Sequence, residues 1–230
     1  MFKAVKRIAR SILWPPMHEV DFRGQMIFLG NEYGGWPLLC DCVDKGSVIY
    51  SFGIGEDISF DRAVIERYGC RVFGFDPTPK SRAWLDMQNL PNEFVFHPIG
   101  IAAKDGEAEF FPPPVEGHVS FSVTPQRKGS HGSSVKAPVL RLESIMSQIG
   151  LPEPTILKMD IEGFEYDVIS DILAGPVRPL QLLIEFHHGM YDGFGAERTM
   201  GAVDALRAAG YRLFYTSRTG REYAFVRSLL

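Results

Sequence analysis

Cysteine is scarce in this chain and badly placed for cross-linking. Cys40, Cys42 and Cys70 are an odd number with no CxxC spacing, which excludes a disulfide framework and a structural zinc site. A reducing, cytoplasmic setting is the expectation. Long apolar runs are also missing: nothing reaches the about 18 residues of a membrane span. A basic excess is absent too. The net charge is -4 and the pI about 5.9, so no nucleic-acid surface is expected. The N-terminus lacks the uninterrupted apolar core of a secretory signal.

Apolar residues are plentiful. Forty-five percent of the 230 residues are hydrophobic, enough for one sizeable α/β domain. Residues 1–20 form a separate preface. Lys3, Lys6, Arg7 and Arg10 interleave with Val5, Ile8, Ile12 and Leu13, and Pro15-Pro16 stops the pattern. A basic amphipathic helix over residues 1–14 could touch a membrane surface. An ordinary edge helix with its charges in water is the preferred reading.

From residue 21 on, strands and helices alternate. Val48 to Phe52, Arg71 to Phe75, Phe94 to Phe96, Thr155 to Met159 and Gln181 to Phe186 read as core strands. Helical spacing fills Ile58 to Tyr68, Ser81 to Gln88, Leu142 to Ile149, Phe164 to Leu173 and Thr199 to Ala209. Gly69 and Gly210 serve as stops. Glu19 to Leu29 reads as a short hairpin or irregular strand pair, Tyr33 to Trp36 as a loop, and Glu107 to Phe111 as an added strand. Tyr211 to Thr216 and Tyr223 to Val226 close the chain as a hairpin. The pattern predicts a mostly parallel sheet with helices on both faces and one antiparallel edge strand. Pro112 to Pro138 is too polar and broken for core structure. A long loop of that kind is a candidate substrate lid, and it carries His118 and His131.

The first core strand ends in Gly53-Ile54-Gly55-Glu56-Asp57, and Asp76 ends the next strand about twenty residues on. Glycine permits positive φ and close approach of a ligand. The acid can accept hydrogen bonds from ribose hydroxyls. A dinucleotide turn wants a third glycine where Ile58 stands, and Glu56 and Asp57 would repel a pyrophosphate. A cofactor carrying an ammonium and a sulfonium suits them. S-adenosylmethionine is such a cofactor, which leaves an NAD-dependent oxidoreductase as the lesser alternative.

The fourth strand narrows the choice. Leu157-Lys158-Met159-Asp160-Ile161-Glu162-Gly163-Phe164-Glu165 sits at a strand-to-helix junction. With Tyr50 to Asp57, Phe73 to Pro79, Val139 to Ile145 and Leu183 to His188, it closely resembles the FkbM family of S-adenosylmethionine-dependent methyltransferases. The resemblance runs from about Tyr33 to Val226, nearly the whole of a methyltransferase domain over residues 21–230. It implies the Rossmann-like class I fold with a seven-stranded sheet, and O-methylation of a hydroxyl on a sugar, glycan or secondary metabolite. Ser51 departs from the wider pattern, in which an acid stands two residues before the first glycine. Glu56 or Asp57 would then meet the methionine amino group.

The candidate cofactor residues are therefore Gly53, Gly55, Glu56, Asp57 and Asp76, with Asp160 at the cofactor end of the fourth strand. Gly100 and Ile101 follow the third strand, where this fold holds the adenine. Tyr33 and Gly35 would cover the methionine end. Glu162 and His118 are assigned to the acceptor side. For Glu162 the plainer role is an acid in the first turn of a helix. Lys158 is expected to point away or pair with an acid. Asp160 and one of His187 and His188 are the catalytic candidates, since histidine is the commonest general base and strand alternation aims only one of the pair inward. Asp160, Glu162, Glu185 and a histidine could hold a divalent ion, but no ligand spacing is diagnostic and no metal is assigned. A non-catalytic module that keeps the pocket is the alternative outside enzymes. The acceptor's identity is not legible in the sequence.

Overall fold

The computed structural model describes residues 18–111, 134–191 and 193–227. The amphipathic N-terminal segment and most of the candidate lid, His118 included, lie outside them.

Strands β1 (Met26–Leu29) and β2 (Trp36–Leu39) pair antiparallel as a small hairpin. Then follow β3 (Val48–Phe52), α1 (Ser59–Tyr68), β4 (Arg71–Phe75), α2 (Pro79–Leu85) and β5 (Phe94–His97). A three-stranded sheet comes next, of β6 (Gly100–Ile101), β7 (Gly106–Phe110) and β8 (Val135–Leu140). The chain continues with α3 (Leu142–Ile149), β9 (Ile156–Met159), α4 (Glu165–Ala174), β10 (Gln181–Glu185), α5 (Ala196–Ala208), β11 (Tyr211–Thr216) and β12 (Glu222–Arg227).

The main sheet has seven strands in the order β11-β12-β10-β9-β3-β4-β5. Every residue of β3 is buried, as a strand covered on both faces requires. Alternation sends Tyr50 and Phe52 to one face and Ile49 to the other. The first face packs with Ile145 of α3, Ile169 of α4 and Val203 of α5. The second packs with Val64 of α1 and Leu85 of α2. Helices thus cover both sides, as a parallel sheet demands. The strand order reverses between β3 and β9, and open α/β sheets bind ligands at the carboxyl ends beside such a switch point.

Local chemistry sets the helix ends. Gly69 stops α1 in the left-handed region, φ +65, with its N–H donated to Ile65 O. Thr78 caps α2 through its side chain, and Pro79 opens the first turn.

Three expectations need correction. The antiparallel strand, β12, lies one place in from the edge, between β10 and β11. The run Trp36–Leu39 is a strand rather than the end of a loop; it is fully buried and Leu39 N donates to the side chain of Gln181. The polar stretch gives way to β8 already at Val135, and this strand pairs with β7 and β6. Among the described residues no helix is long and apolar enough to cross a membrane.

Candidate active site

The turn after β3 is shaped by a backbone contact. Gly53 has φ +80, and a Cβ there would stand 1.8 Å from the carbonyl oxygen of Asp160. Only glycine fits, and the two strand ends on either side of the switch point are locked together. Gly53 N donates to Phe75 O. Gly55, with φ +55, donates its N–H to Asp76 Oδ2 at 2.9 Å. The other Asp76 oxygen accepts from Thr78 N and Oγ1 at 2.9 and 2.6 Å. Asp76 is therefore fixed at the tip of β4, 6% exposed, beside the glycine turn.

Asp57 is committed to structure. Its Oδ1 accepts from Ser59 N at the start of α1, and its Oδ2 from Asn31 Nδ2, both at 2.6 Å. Asn31 Oδ1 in turn accepts from the amides of Tyr33 and Gly34. This network clasps the loop before β2, which contains Gly35, to the cofactor turn. Glu56 is exposed and lies 3.8 Å from Lys80. Tyr33 has its ring largely exposed, yet its hydroxyl is pushed up by burial and then by the negative charge of Asp160, Glu185, Glu162 and Asp57. Gly100 and Ile101 lie beside the Asp76 turn, Gly100 against Pro77. The Ile101 side chain belongs to the core, 2% exposed.

Beyond Gly53, four carboxyl groups surround one imidazole. Asp160 follows β9 directly. Glu162 sits in the left-handed region, φ +50, uncommon without glycine. It precedes α4, so the first-turn acids are Glu165 and Asp167, not Glu162. Glu165 is fully buried. Its Oε2 accepts from Gly163 N at 2.8 Å, and its Oε1 accepts from His187 N at 2.8 Å and Nδ1 at 3.2 Å. A carboxylate can only accept, so Nδ1 of His187 carries a proton, and Nε2 is directed at the other acids. Nε2 is 3.3 Å from Glu162, 3.6 Å from Asp160 and 4.0 Å from Glu185. Tyr191 donates its hydroxyl to Glu162.

These groups perturb one another. Burial alone would depress His187, but Glu162, Glu165 and Glu185 hold it well above its usual 6.5. Burial, with Glu162 adding to it, pushes Asp160 up to about 6 against the pull of His187. Glu185 is raised by burial and Asp160. In Glu165 the neighbouring imidazole overcomes burial and lowers the carboxyl.

Of the histidine pair, His187 lies in the cluster and His188 is turned away. His188 is fully buried with Nδ1 3.1 Å from Thr199 Oγ1, and burial brings it down to about 4. Lys158 points to the opposite face, where its ammonium reaches Gly53 O at 3.4 Å and lies over the Trp36 ring. Its charge acts on Asp61, a carboxyl 1% exposed. Glu165, Tyr191 and Asn31 were not singled out from the sequence. Only Glu165 left a signal, an acid two residues after the glycine of the Asp160–Gly163 turn.

The donor set suits S-adenosylmethionine. Carboxylates and turn amides line the crevice, as a sulfonium and an ammonium require. Ile58, where a dinucleotide turn wants glycine, is 3% exposed in the core. Asp160, Glu185 and His187 also present ligand atoms within 4.8 Å of one another, the one such metal-competent group among the described residues.

Residues 49–213 match the model of the methyltransferase FkbM domain. The chain belongs to the FkbM methyltransferase family. Its fold is the class I methyltransferase fold and its cofactor S-adenosylmethionine. Relatives of this FkbM methyltransferase include the probable methyltransferase-like protein 24 of Homo sapiens, 28% identical over 63% of this chain and 33% of that protein. Another is the hexuronic acid methyltransferase AglP of Haloferax volcanii, 23% identical over 66% of this chain and 61% of that protein. The chain thus spans a third to about three fifths of the relatives' own lengths. Among solved structures, precorrin-6y C5,15-methyltransferase from Geobacter metallireducens aligns with a TM-score of 0.44 at 10% identity, covering 81% of this chain and 82% of that one.

Proposed function

We propose that this FkbM methyltransferase transfers a methyl group to a hydroxyl of a sugar or glycan. The observation that carries the reading is the contact of Gly53 with Asp160, which sets the cofactor turn directly against a carboxylate cluster. The relative that methylates hexuronic acid supports the choice of a sugar acceptor. S-adenosylmethionine supplies an electrophilic methyl group on its sulfonium.

The protein's own work is positioning and proton transfer. Gly53 and Gly55 let the backbone approach the methionine end, and Asp76 accepts from the ribose hydroxyls. The Asn31–Gly35 loop is clasped to the cofactor turn, and its place in this reading is over the methionine end, where it helps hold the acceptor oxygen in line behind the methyl group. That oxygen must lose a proton. Asp160 or Glu162 takes it; both lie at the mouth of the cluster, with side chains 35% and 14% exposed against 2% for His187. His187, held by Glu165, orients the carboxylates. His188 serves the core.

Isotope-labelled S-adenosylmethionine, offered with hexose and hexuronate glycosides, tests the reading. Label is expected as an O-methyl ether. Asp160→Asn with Glu162→Gln is expected to cut turnover by about 100-fold or more while cofactor binding persists. Label on nitrogen, or a double variant with wild-type turnover, sinks the proposal.

A further inference from the structure

We propose that a divalent first-row cation of the Mn2+ type binds between Asp160, Glu185 and His187 and seats the acceptor hydroxyl. Its role rests on the hydroxyl-acceptor reading above. Its existence does not, and the test separates the two.

The argument begins with charge. Asp160, Glu162, Glu165 and Glu185 converge on one imidazole, and Lys158 acts on Asp160 from behind the sheet. With all four ionised, one imidazolium would leave surplus negative charge in a largely buried place. Such charge is costly unless a cation balances it.

Two features separate the cluster from an ordinary acidic patch. His187 is 2% exposed, and its Nε2 is directed into the carboxylates rather than into the core. The three Nε2–oxygen distances of 3.3, 3.6 and 4.0 Å all exceed the about 2.7–2.9 Å of a charge-assisted hydrogen bond. The imidazole is shared among three acids and held closely by none of them. Independently, the far side of the ring is held as a metal-binding histidine is held. Nδ1 donates to a buried carboxylate, Glu165, which is fixed in turn by two backbone amides. That partner keeps a proton on Nδ1, so a metal ion bound at Nε2 would displace only the proton that the other acids hold there.

The spacing fits an ion. Ligand atoms about 2.1 Å from a common centre lie roughly 3.0–3.4 Å apart. Asp160 and Glu185 stand 3.6 and 4.0 Å from Nε2, and all three ligand atoms fall within 4.8 Å. A side-chain closure of less than about 1.5 Å would complete the set. One imidazole and two carboxylates favour a borderline first-row ion over Mg2+ or Ca2+, which prefer all-oxygen sites.

The site assigns the remaining roles. With Asp160 on the ion, Glu162 is the carboxylate left to take the proton. The acceptor hydroxyl enters an open coordination position and is acidified there. Its O–H bond breaks, the proton passes to Glu162, and the freed oxygen pair forms the new C–O bond as the C–S bond of the donor breaks.

The experiment uses the full chain freed of metals by chelation and titrated with Mn2+. One Mn2+ per chain is expected, with ¹⁴N coupling from an imidazole in pulsed EPR. Glu165→Gln, which keeps the shape of the holder, should weaken Mn2+ by about 10–100-fold, and His187→Ala should remove the nitrogen coupling. No stoichiometric Mn2+ in the folded wild type overturns the site, as does Mn2+ bound without nitrogen coupling. Both readouts need only the wild-type chain, so a variant that fails to fold does not shield the proposal. Methyl transfer undiminished after exhaustive chelation overturns the ion's role in seating the acceptor and leaves the transfer reaction standing. Mn2+ bound as expected, with no hydroxyl ever methylated, overturns the reaction and leaves the site.

Discussion

A methyl group at residue 53 has no space: its Cβ would lie inside the Asp160 carbonyl oxygen's contact radius, and the φ of +80 is unfavourable for any other residue as well. Those two costs can be measured apart. Gly150 also has positive φ, +73, but nothing lies within 4 Å of a Cβ built there. Gly150→Ala should therefore cost only the backbone strain, about 1 kcal/mol. Gly53→Ala should cost that plus the displacement of one strand end from the other, in all about 3 kcal/mol or more. It should also lose S-adenosylmethionine binding, since the turn cannot stay where Asp76 meets it. Urea denaturation of both variants decides the matter. Equal losses would mean that conformation alone, not the approach to Asp160, demands glycine at residue 53.

At the scale of elements, α4 deserves the next test because its first residue is Glu165. Its far end is held by one side chain. The Arg178 guanidinium donates to the carbonyl oxygens of Ile172, Leu173, Gly175 and Val177. The Ile172 and Leu173 oxygens belong to the last turn of the helix, have no partner within it and carry its negative dipole end. Arg178→Ala should lower stability by about 2 kcal/mol, seen as a lower urea midpoint at unchanged slope. Arg178→Lys should recover less than half, because a single ammonium cannot span the fork. Full recovery by lysine would show that charge alone matters. Elements also show what the sequence could convey. Strands β3, β4 and β10 were legible as apolar runs ending at glycine or acid, and Gly69 marked the end of α1. β2 was not, since four buried residues with a proline inside carry no period. β8 was hidden by the polar stretch that leads into it. Within the site, the glycine turn and Asp76 were legible because backbone geometry restricts residue type. Which histidine faces the acids was not, because both follow the end of β10 and the answer depends on Glu165 and Thr199, twenty-two and eleven residues away.

The whole molecule places its crevice where β3 and β9 part, and the chemistry on either side of that line differs in kind. On one side stand glycines and Asp76, on the other the carboxylates and His187. A ligand that fills the first side joins the turns after β3 and β4, and so must stabilise the entire sheet rather than one loop. S-adenosylmethionine at about 100 times its dissociation constant should add about 2.7 kcal/mol, a rise of roughly 5–10 °C in Tm for a chain of this size. The rise should grow with the logarithm of cofactor concentration, as linkage requires. NAD+ should give none at equal concentration, since its pyrophosphate meets Glu56 and Asp57 and finds the buried Ile58 where a glycine is needed. Asp76→Ala removes the acceptor of the Gly55 and Thr78 amides, so its own Tm will fall. The diagnostic quantity is the difference with and without cofactor in the same variant, which should shrink to near zero. A full cofactor shift in Asp76→Ala would show that the ribose is held elsewhere, and the path of the adenosine across the sheet would have to be redrawn.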